Sequence, residues 1–300
     1  MVEEQHRPVL QGEYKLVSVL ETVEDSTVYR SQSVSHSERV FAIREFKLEG
    51  FEAPEKRAMV SSYFQPIAQS YMDFSDPCLT SLRDFFIENG YIYFVFDFVP
   101  GCRLSNYLRM RHRPLPEVLA LDISYKIARA MELLHSRDPI KFFADVSISN
   151  VILASNGYIM LTDYGLGKLL APRPIDAPRM GTPGYAAPEQ YGLAGIVGQA
   201  TDIYGLGVIM HQLVTGIDPL NNTTGKLAPI ADVNPAISDE YIEIVNMATH
   251  KEAKKRFISA SDMADAIYSI SPRRGLSTKS LKRNIVSDFF ASIKAPFVAN

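Results

Sequence analysis

Cysteine is nearly absent: only Cys78 and Cys102 occur in 300 residues, far apart and in no CxxC arrangement. That scarcity excludes a disulfide framework and a thiolate zinc site as organising features, and it fits a reducing cytosol. Missing too is any apolar run of the about 18 residues that a membrane-spanning helix needs. The opening MVEEQHRPVLQ carries early acidic residues and no apolar signal core, so a cytoplasmic chain, neither secreted nor membrane-spanning, is expected. Charge of one sign is not in large excess. The formal net charge of −3 offers no broad basic surface, and no nucleic-acid partner is expected. His6, His36, His112, His135, His211 and His250 are scattered without metal-ligand spacing.

What is present is a 46% apolar composition, enough to bury one large core or two lobes. The stretch richest in chemistry is residues 141–164, KFFADVSISNVILASNGYIMLTDY. It places Asp145, then Asn150, a short apolar strand at 151–154, a turn at Ser155-Asn156-Gly157 and a second strand running to Asp163. The Asn-Gly pair predicts a tight hairpin with positive φ at both central positions. Such a hairpin brings a loop carrying Asp145 and Asn150 near the Asp163 carboxylate. Two carboxylates and an amide make a hard oxygen set suited to Mg²⁺ on phosphate, with the first Asp free to take a hydroxyl proton.

Ahead of this stretch, residues 14–21, 26–33 and 39–46 are rich in Val, Tyr and Phe and are separated by polar turns, which predicts an antiparallel meander. Residues 78–86 and 91–99 read as a strand pair joined at Asn89-Gly90 and ended by Pro100-Gly101. From 116 to 135, Leu121, Ser124, Ile127, Ala128, Met131 and Leu134 recur at helical spacing. Thr201 is expected to cap a helix that buries Ile203, Leu206, Met210 and Leu213 and stops at Gly216. A last helix is expected to start at Ser259-x-x-Asp262 and to bury Met263, Ile267 and Ile270.

Four stretches occur in a telling order: Phe41-Ala42-Ile43-Arg44, the Asp145 to Asp163 run, Gly181-Thr182-Pro183-Gly184-Tyr185-Ala186-Ala187-Pro188-Glu189, and Thr201-Asp202-Ile203-Tyr204-Gly205-Leu206-Gly207. Together they resemble the protein kinases, most closely the bacterial serine/threonine kinases, over residues 12–270. The resemblance implies an α+β, bilobal fold with a small, mostly β N-lobe and a larger, mostly α C-lobe. Residues 1–11 would be an N-terminal extension, 12–99 the N-lobe, 100–270 the C-lobe, and 271–300 a basic linker and an amphipathic helix. By the same resemblance Asp145 is the catalytic base and Asn150 and Asp163 hold Mg²⁺. Val28, Ala42 and Ile152 would sandwich adenine, which leaves them equally at home as plain core residues. Phe96 would close the back pocket, and the backbone of Asp97 and Val99 would meet the adenine edge. Asp202 would hold the backbone of the catalytic loop, and Glu189 would pair with Arg256.

The sequence also departs from the family pattern. Glu21, Val23 and Ser26 stand where the phosphate-loop glycines would be, and side chains there obstruct a close approach of backbone to phosphate. Arg44 replaces the lysine of the third strand, an exchange that is not conservative at a single phosphate contact. Ile67, beside Pro66, falls where the lysine's glutamate partner would be. No ion pair to Arg44 is expected, unless Glu52 or Glu55 substitutes, and the helix carrying Pro66 should be kinked or short. Phe143, Ala144 and Ser147 replace a structural His, a phosphate-binding Arg and a loop cation. Between Tyr164 and Thr182 there is no Ser or Thr to phosphorylate. These losses predict a pseudokinase, a scaffold or allosteric regulator with weak ATP and Mg²⁺ binding. The alternative is a divergent active kinase in which Arg44 or Arg30 contacts phosphate and ATP phosphorylates a protein Ser or Thr. Either way a protein partner or substrate is expected. In the tail, Leu281, Ile285, Phe289 and Ile293 recur every four residues after a basic run. Residues 281–293 are open to three uses: docking on the body, binding a partner, or lying on an anionic membrane.

Overall fold

The computed structural model describes residues 8–23, 26–47, 54–72, 76–137, 142–163, 181–191, 196–221 and 226–271. The chain divides into two compact units at Val99/Pro100. The 281–293 segment, Glu24-Asp25, Glu52 and the 164–180 stretch lie outside the described residues, as do the side chains of Glu55 and Ile67.

The first unit is a six-stranded antiparallel sheet in the order β1-β2-β3-β4-β6-β5. Its strands are β1 (Val9–Leu10), β2 (Tyr14–Val23), β3 (Ser26–Ser33), β4 (Val40–Lys47), β5 (Leu82–Glu88) and β6 (Tyr91–Asp97). The expected meander is β2-β3-β4, and the expected pair is β5-β6, turning at Asn89 (φ 50°) and Gly90 (φ 83°). One face buries Leu10, Tyr14, Leu16, Phe41, Ile43, Tyr93 and Val95 together. The buried tyrosines keep their hydroxyls bonded, Tyr14 to Asp84 at 2.9 Å and Tyr93 to Glu45 at 2.8 Å. Between β4 and β5, helix α1 (Pro54–Met72) is 19 residues long and contains Pro66, so of the two expected outcomes, kinked or short, the helix is not short. A mid-helix proline costs about 3 kcal/mol. Pro66 is on the exposed side, while Ala68 and Tyr71 bury 98% of their surface against this unit, and α1 packs on β5. That burial offsets the lost helical hydrogen bond.

The second unit begins with β7 (Gly101–Arg103), which pairs with β8 (Val151–Ala154), itself paired with β9 (Ile159–Leu161). The expected hairpin forms between β8 and β9, but its turn is not of the expected type. Gly157 donates to the Ala154 carbonyl at 2.8 Å, and within the turn only Gly157 has positive φ (84°). Ser155 and Asn156 are thus the central pair of an ordinary turn, followed by a left-handed glycine that restores the strand twist. A Cβ on Gly101 would come within 2.3 Å of the Leu153 carbonyl, so glycine is what lets β7 lie against β8.

The rest is helical: α2 (Leu104–Arg111), α3 (Glu117–His135), α4 (Pro188–Tyr191), α5 (Gln199–Thr215), α6 (Ile230–Val233), α7 (Asp239–Ala248) and α8 (Ala260–Ile270). As its period predicts, α3 buries Leu121, Ser124, Ile127, Ala128, Met131 and Leu134. Helix α5 is buried almost all round and forms the unit's axis. It starts at Gln199 with Gly198 as cap, so Thr201 is its third residue rather than its cap; Thr201 Oγ1 accepts from the Gly198 amide at 3.1 Å. Gly216 ends it at φ 71°. Helix α8 has the expected Ser259 cap, accepting from the Asp262 amide at 3.0 Å.

Candidate active site

The loop that carries Asp145 is fixed from beneath by a single buried carboxylate. Asp202, 1% exposed near the start of α5, accepts from the Phe143 amide at 2.5 Å and the Ala144 amide at 2.6 Å. His135 Nε2, at the end of α3, lies 2.8 Å from the same carboxylate. Ala144 takes a left-handed φ of 61°, a conformation that costs a non-glycine residue about 1–2 kcal/mol. Its carbonyl accepts from Gln190 Nε2 at 2.9 Å, so the strained peptide is held on both sides. A Cβ on Gly205 would approach the Val146 carbonyl to 2.6 Å, which is how closely α5 runs beneath this loop.

Held this way, Asp145 is only 8% exposed and both its oxygens are engaged. Oδ1 accepts from the amide and the hydroxyl of Thr182, each at 2.7 Å. Oδ2 accepts from Asn150 Nδ2 at 3.1 Å, and the same nitrogen reaches the Asp145 carbonyl at 2.8 Å. With its nitrogen committed, Asn150 presents an oxygen as its remaining polar atom, the donor a hard cation would take. Ser147, fully buried, has its Oγ 3.4 Å from Thr182 Oγ1.

Asp163 ends the run after β9 with φ 64°. Its Oδ2 lies 3.2 Å from Arg103 Nη1, and that nitrogen also donates to the Ser149 carbonyl, one residue before Asn150. Arg103 sits on β7 opposite Ile152 of β8, which sets its reach over the loop. An Asn oxygen and a carboxylate fit Mg²⁺ by donor chemistry. Among the described residues, no group of three or more His, Cys, Asp or Glu could hold a metal alone. A cation here would therefore share its coordination with phosphate oxygens, the usual arrangement for Mg²⁺.

In the first unit, Arg44 of β4 donates to Ser26 Oγ at 2.9 Å and lies 3.7 Å from Glu21 Oε2, which corrects the expectation that no ion pair reaches it. The register explains the contact: Glu21 of β2 faces Val28 of β3, which faces Arg44 of β4. Val28 is buried, Ala42 is half-buried opposite the buried Phe96, and Arg30 lies across from Ala42 with its guanidinium 5.6 Å from the Phe98 ring. The Asp97 amide donates to the Ser81 carbonyl at 3.0 Å, and its carboxylate takes Arg83 Nε at 2.8 Å. Val99 closes this unit, half-buried, and Ile152 is half-buried in the second.

The expected Glu189–Arg256 pair forms, with Nη1 and Nη2 meeting the two carboxylate oxygens at 2.6 and 2.8 Å, and the Arg256 side chain is fully buried. Burial alone would raise the Glu189 carboxyl, but Arg256 and Thr201 hold it below its ordinary value. Sequence reading missed Arg103, Thr182, Gln190 and His135 as parts of the site. Thr182 was inside a recognised motif, whereas the others carry no signal short of the fold itself.

Among characterised proteins, the chain is 31% identical over 189 residues to the serine/threonine-protein kinase PknA of Corynebacterium glutamicum, covering 60% of this chain and 39% of that protein. It is 26% identical over 262 residues to a probable serine/threonine-protein kinase PknB of Lactococcus lactis, covering 83% of this chain and 40% of the relative. The chain thus spans about two fifths of the length of these relatives. The crystal structure of the Mycobacterium tuberculosis PknI kinase domain superposes with a TM-score of 0.70 at 21% identity, covering 89% of this chain and 99% of that one, so the fold is the kinase fold. The sequence pattern of the protein kinase domain matches residues 24–284, and the chain belongs to the protein kinase domain family.

Proposed function

We propose that this domain is a serine/threonine protein kinase that transfers the ATP γ-phosphate to a protein hydroxyl, with Asp145 as the base. The observation that carries this reading is the Asp145 carboxylate, held by Thr182 and Asn150 in a loop pinned to Asp202. Phosphoryl transfer depends on positioning and electrostatics more than on covalent chemistry, and this carboxylate is positioned by the protein before any substrate arrives. Asp145 orients the acceptor hydroxyl and takes its proton, while Asn150 and Asp163 hold the metal. When bound, Mg²⁺ neutralises charge on the transferring phosphates. Serine/threonine kinases among the relatives support this reading over a purely structural one.

The second reading, a pseudokinase scaffold, is favoured by the Glu21 contact to Arg44. Glu21, on β2 where the family pattern has a glycine, puts a carboxylate beside the cation that phosphate would use. Labelled γ-phosphate incorporation into protein, lost in Asp145→Ala and in Asp163→Asn, is the expected result. A thermal-shift titration in which millimolar ATP with Mg²⁺ gives no stabilisation would sink the kinase reading and leave the scaffold.

A further inference from the structure

We propose that Arg103 is a resident cation on Asp163 that a divalent metal must displace before the site can load. The proposal rests on the reading of Asn150 and Asp163 as metal ligands. Arg103 Nη1 stands 3.2 Å from Asp163 Oδ2, with side chains 17% and 9% exposed. In so little solvent a charge pair is screened far less than at the surface. The same nitrogen binds the Ser149 carbonyl, so the cation bridges the two segments that carry the metal ligands.

Position and chemistry both oppose an added metal. Mg²⁺ gives up hydration water reluctantly and needs an anionic oxygen in return. An arginine on that oxygen has already neutralised it and repels the incoming charge. Arg103 is placed for this by β7, whose pairing of Arg103 with Ile152 depends on the glycine at 101. Metal loading then requires the guanidinium to swing off Asp163, which makes Arg103 a competitor of the metal.

The test uses Mn²⁺ alone, without nucleotide, followed by water-proton relaxation. Arg103→Gln keeps a donor for the Ser149 carbonyl and removes the charge. It is expected to bind Mn²⁺ at least tenfold more tightly than the unaltered protein, and the gain should vanish in Arg103→Gln/Asp163→Asn. Arg103→Lys, which keeps a cation, should behave as the unaltered protein does. Equal affinity with and without the Arg103 charge, lost in both when Asp163 is changed, would overturn the proposal and leave the metal reading standing. If no Mn²⁺ binding depends on Asp163 in any variant, both fall. Should the glutamine variant not fold, the Arg103 Nε–H resonance of the unaltered protein serves instead. It should shift between the metal-free protein and the protein saturated with diamagnetic Mg²⁺, used in place of Mn²⁺, and a resonance unmoved by bound Mg²⁺ overturns the proposal.

Discussion

Two charged sites, one in each unit of this chain, are held in different ways. In the second, Asp202, Asp145 and the Glu189–Arg256 pair are nearly or wholly out of water, and their oxygens meet several donors at ordinary hydrogen-bond distances. In the first, Arg44 is 13% and Glu21 29% exposed, and their nearest charged atoms are 3.7 Å apart. A buried, fully bonded carboxylate fixes backbone and leaves little freedom to its neighbours. A looser, partly wet pair sets a local charge but constrains little. The tightly bonded charges thus sit around Asp145, and the looser pair lies in the sheet of the first unit.

The sharpest way to break this contrast is Arg256→Met. Leaving Glu189 buried without its cation should cost about 3–5 kcal/mol at neutral pH, read from urea unfolding. Because the native Glu189 carboxyl is held below its ordinary value, the pair contributes above the unfolded carboxylate range near about 4.3 and is lost as pH falls through the depressed native value. Without Arg256, burial raises the Glu189 carboxyl, so the gap between variant and unaltered protein should narrow as pH falls and the variant's carboxyl takes up its proton, and close below about pH 4. A gap unchanged at the lowest pH would mean that packing, not charge, carries the pair.

Next in size is Asp202→Asn. One of the two loop amides, at Phe143 or Ala144, loses its acceptor and meets an amide donor instead, so a loss of about 1–3 kcal/mol is expected from the same urea measurement. The smallest effect belongs to the first unit. Arg44→Met should change stability by less than about 1 kcal/mol, as for other partly exposed pairs. A penalty as large as that of Arg256→Met would erase the distinction between the units.

Much of the second unit was readable before any coordinates. The apolar period of α3, the Ser259 cap of α8, the role of Asp202 and the Glu189–Arg256 pair all follow from local pattern or recognised motif. The first unit was legible as strands but not as partners. Glu21 meets Arg44 only because two strand registers align them, and nothing in either segment alone encodes that alignment. Arg103 lies on a strand of three residues, too short to show a period, 60 positions from Asp163. Helix α1 outlasted its proline because apolar burial, a property of the folded unit, outweighed a local rule. The hairpin after β8 kept its place but changed its turn, since Gly157 took the positive φ alone.

The Asp202 carboxylate has a consequence in time as well as in space. The amide protons of Phe143 and Ala144 point at a group that water barely reaches, so they exchange with solvent only when α5 itself gives way. The Thr182 amide is capped by the more accessible Asp145, and a smaller, local opening releases it. The loop therefore has two clocks: a slow one set by α5 keeps Asp145 in place, and a faster one at Thr182 governs when the Asp145 carboxylate is uncovered.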